Sequence, residues 1–474
     1  MKRGDIIEVE IERAAYEGKS VARVEGLVVF VHGGVPGDRV AVCVTAVKKA
    51  FAESEIERVV RPSPLRVEPR CRYFGSCGGC RWQHVAYSAQ LEFKRQQVTD
   101  ALERIGGFNG IEVPHPLGGP DTFHYRNKME FSFGERWRTR EEMAARTDPE
   151  GRQPAAFALG LHVAERYDRI LDLEECYLQS EESAAIVNEV RRYCIERALP
   201  VYSTRTQSGY LRNLVIREAR RTGERMINLV TRDDRPDIMG PMAEHLHARF
   251  PSTTTIVNNI TQRRSQVAVG ETEKVYFGSG TITDRIGNRT YRISANSFFQ
   301  TNTERTERLY DTARRMAEFR AEDTVYDLYS GTGTIALHVA DDVRSVFGIE
   351  AVAGAVADAR RNAELNGVGN CTFVEGDLKD TLLRSRTQGG TIPSPDVVIV
   401  DPPRAGMHEK VVRELLALRP RRIVYISCNP ATQARDAKIL CESYAYRIVE
   451  VQPVDMFPHT YHIENVLSLS LNPL

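Results

Sequence analysis

The sequence lacks any apolar run long enough to cross a membrane. Its first residues, MKRGDIIEVE, carry no apolar segment behind the basic pair, so no secretion signal is expected and the protein is expected to be cytoplasmic, with no membrane partner. It also lacks net charge. Lys+Arg and Asp+Glu both total 64, so the composition as a whole does not announce nucleic-acid binding. Internal repeats and low-complexity tracts are absent, which argues against solenoids and long disordered tails. What remains, at 42% hydrophobic and 27% charged residues over 474 positions, is a globular protein of two or three domains. Basic residues are dense in one place. RVVRPSPLRVEPRCR, residues 58–72, holds five arginines and one acid, and reads either as a solvated linker or as a strip that contacts phosphates.

Three segments follow from the hydrophobic periodicity. Residues 1–62 hold GDIIEVEIE, KSVARVEG, LVVFVHG and DRVAVCVTAV, with period-2 alternation and turns rich in glycine, which predict a small β-barrel. Residues 63–292 read as an α+β domain. YSAQLEFKRQQVTDALERIG predicts a helix, HYRNKMEFSF a strand, and LRNLVIREARRTGERMINLVTRD a hairpin turning at Thr222-Gly223. Within it, residues 134–156 are polar and charged and are expected to form a mobile surface insertion. Residues 293–474 alternate strand and helix, with continuous apolar runs such as DVVIVDPP and RIVYISCNP. These suit a sheet covered on both faces, and hence a doubly wound, Rossmann-like α/β domain with ligands beyond the carboxyl ends of its strands.

The motifs of the last segment carry chemistry. DLYSGTGTIA, Asp327 to Ala336, places Gly331 and Gly333 between a strand and a helix, and Glu350 ends the next strand, where a carboxylate can accept both hydroxyls of a ribose. The spacing satisfies G-x-G-x-x-A, so a dinucleotide-dependent oxidoreductase enters the comparison. Asp327 before the glycines suits a cationic amino-acid moiety better than a pyrophosphate, which favours S-adenosylmethionine. VDPPRAG places Asp401 at the end of the fourth strand, with Arg404 where amino-group methyltransferases often carry an aromatic. IVYISCNPAT delivers Cys428 to the end of the fifth strand, and Glu464 precedes the last. Alone, Cys428 reads as a buried structural thiol. With two carboxylates and a methyl donor nearby, it suits methylation of a carbon that is not itself nucleophilic, such as uracil C5: a thiolate adds to C6, C5 takes the methyl group, and a base removes the C5 proton.

Cys71, Cys77 and Cys80 form C-x5-C-x2-C in CRYFGSCGGC, and Cys176 offers a remote fourth thiolate. Four thiolates suit either zinc or an iron–sulfur cluster. The spacing differs from that of two-plus-two zinc ribbons and from the C-x3-C-x2-C of radical enzymes.

Taken together, SANSFFQTN, DLYSGTGTIAL, DPPRAG, SCNPAT and FPHTYHIE resemble, in order and spacing, the successive motifs of the RNA 5-methyluridine methyltransferases, which act on uridines in ribosomal or transfer RNA. The N-terminal barrel resembles a TRAM domain, an OB-like RNA-binding module. The resemblance implies Cys428 as nucleophile and Glu464 as base. Gln300, Tyr329, Glu350 and Asp401 would line the pocket for cofactor and target base, with Asp377 at the adenine. Ser330 stands where many relatives have a cysteine. The resemblance further implies a [4Fe-4S] cluster on Cys71, Cys77, Cys80 and Cys176, as in the ribosomal-RNA branch. The expected cofactors are thus S-adenosylmethionine and that cluster. The expected partner is RNA, ribosomal in preference to transfer RNA, bound by a monomer. Two rivals stand beside this reading: a methyltransferase acting on an amine, and a non-catalytic iron–sulfur RNA-binding protein.

Overall fold

The computed structural model describes residues 1–136, 157–164, 166–265, 267–387 and 392–473. Six N-terminal strands pair in the order Ile6–Glu10, Arg39–Val47, Phe51–Arg61, Leu27–His32, Ser20–Val24, Arg13–Ala14. The two end strands of the sheet, Ile6–Glu10 and Arg13–Ala14, are consecutive in sequence, and between them the Glu12 N–H donates to the Val21 carbonyl at 2.8 Å. Val9, Val29, Val31, Val40 and Val42 fill the interior. The expected barrel is present, with two strands that the periodicity does not mark, the short Arg13–Ala14 and the long Phe51–Arg61. Phe51–Arg61 buries fully only Ala52 and Ser54, so its sequence carries no apolar stripe.

Four of the five arginines of the strip, Arg58, Arg61, Arg70 and Arg72, lie exposed at the surface, and only Arg66 is half-buried. Arg58 pairs with Glu8 at 3.3 Å, Arg61 with Glu10 at 3.7 Å, Arg66 with Asp38 at 2.6 Å and Arg72 with Glu174 at 2.5 Å. Arg70 lies over the Tyr177 ring at 4.2 Å. Each cation of the run has a partner distant in sequence, which a linear charge count cannot register.

A central seven-stranded sheet follows, in the order Thr272–Phe277, Thr255–Ile260, Arg225–Thr231, Leu211–Glu218, Lys128–Glu135, Phe157–Val163, Arg166–Asp172. Helices Glu181–Glu196 and Pro236–Arg249 cover one face through Ile186, Val190, Met239, Met242 and Leu246. The hairpin at Thr222-Gly223 pairs Glu218 with Arg225. The surface insertion expected at 134–156 lies, from residue 137, outside the described residues.

The last sheet holds β1 (Thr324–Leu328), β2 (Ser345–Glu350), β3 (Cys371–Glu375), β4 (Val397–Val400), β5 (Arg422–Ser427), β6 (Tyr446–Val454) and β7 (Glu464–Leu471), in the order β3-β2-β1-β4-β5-β7-β6. Strands β1 to β5 are parallel. Val325, Ile399 and Val424 point to one core, while Tyr326, Val398 and Tyr425 point to the other. Burial on both faces explains the unbroken apolar runs. The final pair departs from the parallel pattern, because β7 runs antiparallel to both β5 and β6. The hairpin Thr281–Ile286 and Arg289–Ser294 adds Ile282, Ile286, Tyr291 and Ile293 to the first core.

Helix Tyr87–Ala101, far from this sheet in sequence, packs against it through Val98 and Ala101. The seam is tied by buried charge. Lys94 Nζ donates to Asp455 Oδ1 at 2.6 Å and to the Phe457 carbonyl at 3.0 Å. Tyr87 donates to Asp455 Oδ2 at 2.7 Å, and Arg305 reaches the same oxygen at 3.0 Å. Burial alone would push the Asp455 carboxyl up, but Lys94 and Arg305 outweigh it and hold it below the ordinary range. Lys94→Met leaves Asp455 buried with a missing partner, and is expected to cost about 3–5 kcal/mol in urea unfolding. Asp455, with its lowered pKa, contributes stability that is full above the ordinary carboxylate range and is lost as pH falls through the folded value, so the variant's deficit should shrink at low pH.

Candidate active site

The turn after β1 shapes the first half of the site. Tyr329 adopts φ 64°, a left-handed conformation uncommon for a large side chain. Gly333 has φ +79°, and a Cβ there would stand 2.8 Å from the Phe373 ring, so only glycine suits the position. The Gly331 N–H donates to Glu350 Oε2 at 3.1 Å, and the Val352 N–H to Oε1 at 2.8 Å. These bonds orient the carboxylate and leave lone pairs for a ligand. Tyr329, Glu350, Asp377, Lys379, His408 and Val411 line a cavity of about 210 Å³. A carboxylate for vicinal hydroxyls, beside an aromatic ring and apolar walls, fits a nucleoside. Lys379 and His408 were not picked out from the sequence. His408 caps helix Glu409–Leu418, its Nδ1 accepting from the Lys410 N–H at 3.2 Å, and no motif spacing marks it.

The second half is built at the ends of β4 and β5. Cys428 lies between β5 and helix Pro430–Leu440. Asn429 caps that helix, accepting from the Ala431 N–H at 3.1 Å, and its Nδ2 donates to the Arg404 carbonyl at 3.0 Å. The Asn-Pro pair therefore fixes the backbone on which the thiol sits and joins it to the DPPRAG loop. Ser427 lies opposite Asn465 across the antiparallel β5–β7 pairing, which sets Glu464 at the same edge as Cys428. Asp401 follows β4, and Gln300 Nε2 donates to its Oδ2 at 3.5 Å. The Gln300 carbonyl accepts from Asn127 Nδ2 at 2.8 Å. Arg404 Nη2 lies 3.2 Å from His462 Nε2.

The electrostatics are those of several acids around one cation. Burial pushes Asp401 up to about 7. Burial and the Asp401 charge push Glu464 well above the carboxylate range, against the pull of Arg404. The Cys428 thiol rises to about 12 through burial, then Glu464 and Asp401, with Arg404 opposing. Asp327 rises to about 8 through burial, with Asp401 and Glu350 adding to it, so it senses both halves of the site. Its Oδ2 accepts the Ala336 N–H at 2.9 Å, while its Oδ1 and the Ser330 Oγ are buried without protein partners. Such a crowd of acids raises proton affinity, as expected where groups must exchange protons.

Cys71, Cys77, Cys80 and Cys176 line one small cavity with Phe74, Gln83 and Leu173. Burial drives the Cys77 and Cys80 thiols up to about 12 and raises those of Cys71 and Cys176. The four residues expected to act together thus do meet. No group of three or more His, Cys, Asp or Glu among the described residues is placed to hold a metal ion, so the structure brings the thiols together without placing them as ligands of one ion.

Among known proteins, residues 221–471 match the family model described as tRNA (Uracil-5-)-methyltransferase, and residues 1–56 match the TRAM domain. An uncharacterized RNA methyltransferase of Chlorobaculum tepidum is 45% identical, the match covering 98% of this chain and 96% of the relative. One from Porphyromonas gingivalis is 42% identical, covering 98% and 100%. The solved structure of the Pyrococcus abyssi tRNA (uracil-54, C5)-methyltransferase in complex with S-adenosyl-L-homocysteine superposes with a TM-score of 0.73 at 30% identity, covering 97% of this chain and all of that one. The chain therefore belongs to the tRNA (uracil-5-)-methyltransferase family, as an RNA methyltransferase with an N-terminal TRAM domain.

Proposed function

We propose that the protein methylates uracil C5 in RNA through a covalent adduct between Cys428 and C6, with Glu464 as the base. The observation that carries this reading is the convergence of Cys428, Asp401 and Glu464 at the edge of the sheet that also bears the cavity lined by Tyr329, Glu350 and Asp377. S-adenosylmethionine, held by Tyr329, Glu350 and Asp377, supplies an electrophilic methyl group on a sulfonium. Gln300 and Asp401 hold the polar edge of an extruded uracil. The Cys428 thiol passes its proton to a neighbouring carboxylate and its sulfur bonds to C6, sending the C5=C6 π pair to C5, which would take the methyl group from the sulfonium as the S–CH3 electron pair stays on that sulfur. Once C5 carries the methyl group, Glu464 takes its remaining proton, the double bond reforms, and the Cys428 thiolate leaves. A carboxyl with raised proton affinity is a stronger base once ionised, which suits Glu464 to this step.

Cys428→Ala is expected to lower turnover about 1,000-fold or more. Glu464→Gln is expected instead to accumulate a covalent protein–RNA complex, seen as a retarded band under denaturing conditions. Loss of the complex in Glu464→Gln, with turnover retained in Cys428→Ala, would overturn the assignment. In the free protein the raised thiol should be nearly silent to alkylation. With a value of about 12, roughly one part in 10,000 is ionised at pH 8, and the fraction grows tenfold per pH unit. Iodoacetamide should therefore modify Cys428 at least about 100-fold more slowly than a free cysteine, and Glu464→Gln should speed it by removing an opposing charge.

We assign the four thiols a [4Fe-4S] cluster with a structural role, since methyl transfer needs no electron. Support comes from the four cysteines lining one cavity, where a bound cation would offset the cost of ionising buried thiols. Anaerobic purification should yield about four irons and four sulfides per chain; zinc or no metal would refute the assignment. Ribosomal RNA is the proposed target, because the TRAM barrel and the four-cysteine set occur together, and the chain is proposed to act as a monomer. Transfer RNA is the second reading, favoured by the neighbour that acts on tRNA uracil 54. Mass-spectrometric mapping of 5-methyluridine in a deletion strain distinguishes them: loss from ribosomal RNA supports the first, and loss from transfer RNA alone refutes it.

A further inference from the structure

The loop between β6 and β7 carries Glu464 at its end, and its strained point is His459, at φ 64°. A residue with a Cβ held there needs partners on several sides. The His459 N–H donates to Gln90 Oε1 at 2.8 Å, and its ring stacks on Phe123 at 4.3 Å. Its carbonyl accepts two main-chain N–H groups, from Arg81 at 2.9 Å and Trp82 at 3.0 Å. Those two residues directly follow Cys80.

The other thiol segments reach the same point. Arg70, beside Cys71, lies over the Phe123 ring at 5.2 Å and the Tyr177 ring at 4.2 Å, and Tyr177 follows Cys176. Gln83 links the segments near Cys71 and Cys80, accepting from the Cys71 N–H at 3.1 Å and donating to Cys80 Sγ at 3.3 Å. The seat of His459 is therefore contiguous with the walls of the thiol cavity: Arg81 and Trp82 follow Cys80 in the chain, and Arg70 bridges Phe123 to Tyr177, which lines the cavity. The loop's first half is held separately by Lys94, Arg305 and Asn302, the last donating to the Met456 carbonyl at 2.9 Å. From His459 onward, the chain runs five residues to the proposed base.

We propose that His459 is a positioning residue for Glu464, seated by the cysteine loop through the Arg81 and Trp82 amides, so that order in the four-thiol centre is transmitted to the base. The inference rests on the reading of Glu464 as base. It gives the cluster a mechanical role: closing the loop Cys71 to Cys80 onto Cys176 fixes the two amides that hold a strained carbonyl. Displacing a catalytic group by about 1 Å is enough to cost roughly 100-fold in rate.

The full-length protein with its RNA substrate tests this. His459→Val places a β-branched residue in the left-handed conformation, whereas His459→Asn tolerates it. His459→Val is expected to form the covalent RNA complex at the wild-type rate but to resolve it about 100-fold more slowly, with KM for S-adenosylmethionine unchanged. His459→Asn should recover most of that loss. Equal slowing of formation and resolution, or no slowing at all, would overturn the proposal. Glu464→Gln is the control: if it accumulates complex and His459→Val does not, this inference alone fails. If Glu464→Gln accumulates none, the base assignment fails and the inference with it. A second measurement needs no turnover. Hydrogen exchange at amides 459–464 should be about tenfold faster in Cys176→Ala than in the wild type, with β4 and β5 unchanged. Unchanged exchange in the loop, or a uniform rise across the sheet, would contradict the proposed link.

Discussion

The antiparallel pairing of β7 with β5 is the constraint on which the site depends. In a parallel sheet the carboxyl edge receives only the ends of strands, and a residue that begins a strand falls on the opposite edge. Because β7 runs backwards, its first residue, Glu464, comes to the edge where Asp401 and Cys428 leave β4 and β5. Three acids thus meet beside one cation, Arg404, in a buried setting that raises the proton affinity of each. A wholly parallel arrangement of the same sequence segments would separate the thiol from the proposed base by the length of a strand.

This placement demands support from outside the sheet. The segment joining β6 to β7 must cross the carboxyl edge, and it does so as irregular chain with buried charges. Asp455 receives Lys94, Tyr87 and Arg305 from two distant parts of the sequence, and His459 receives Gln90, Arg81 and Trp82. The central region thereby clamps the loop that ends at Glu464. The TRAM barrel is joined through Arg66 on the buried Asp38 carboxylate, which also accepts the Ser63 N–H at 2.8 Å, through the Arg13–Asp100 ion pair at 3.1 Å, and through Val35 packed with Trp82, Val85 and Ala89.

What the sequence revealed divides along the range of the interactions. The glycine turn after β1, the acid at the end of β2 and the Asn-Pro cap after Cys428 are local signals, and the structure shows them as such. Tyr329, Glu350 and Asp377 meet in one cavity, and the four thiols meet in another. Strand direction was less legible: the apolar runs of β6 and β7 read the same either way, so their reversal appears only in the pairing. Helix Tyr87–Ala101 has polar and apolar residues without a strong stripe, and nothing in it names the catalytic sheet as its partner. The pairing of the arginines of residues 58–72 was not legible because their acidic partners, among them Glu8, Asp38 and Glu174, lie elsewhere in the chain. Lys379 and His408 escaped notice because a single polar residue on a loop carries no period.

The account's central claim is that Cys428 forms a bond to the target base. Substituting fluorine for hydrogen at C5 removes the proton that Glu464 would take, so the adduct should not resolve. The protein should therefore be incubated with S-adenosylmethionine and RNA containing 5-fluorouridine, digested, and mapped by mass spectrometry. The account predicts a methylated fluorouridine nucleotide attached to the peptide containing Cys428, and to no other cysteine. Methyl transfer to ordinary RNA by the same preparation, with no adduct on Cys428 from the fluorinated RNA, would contradict it.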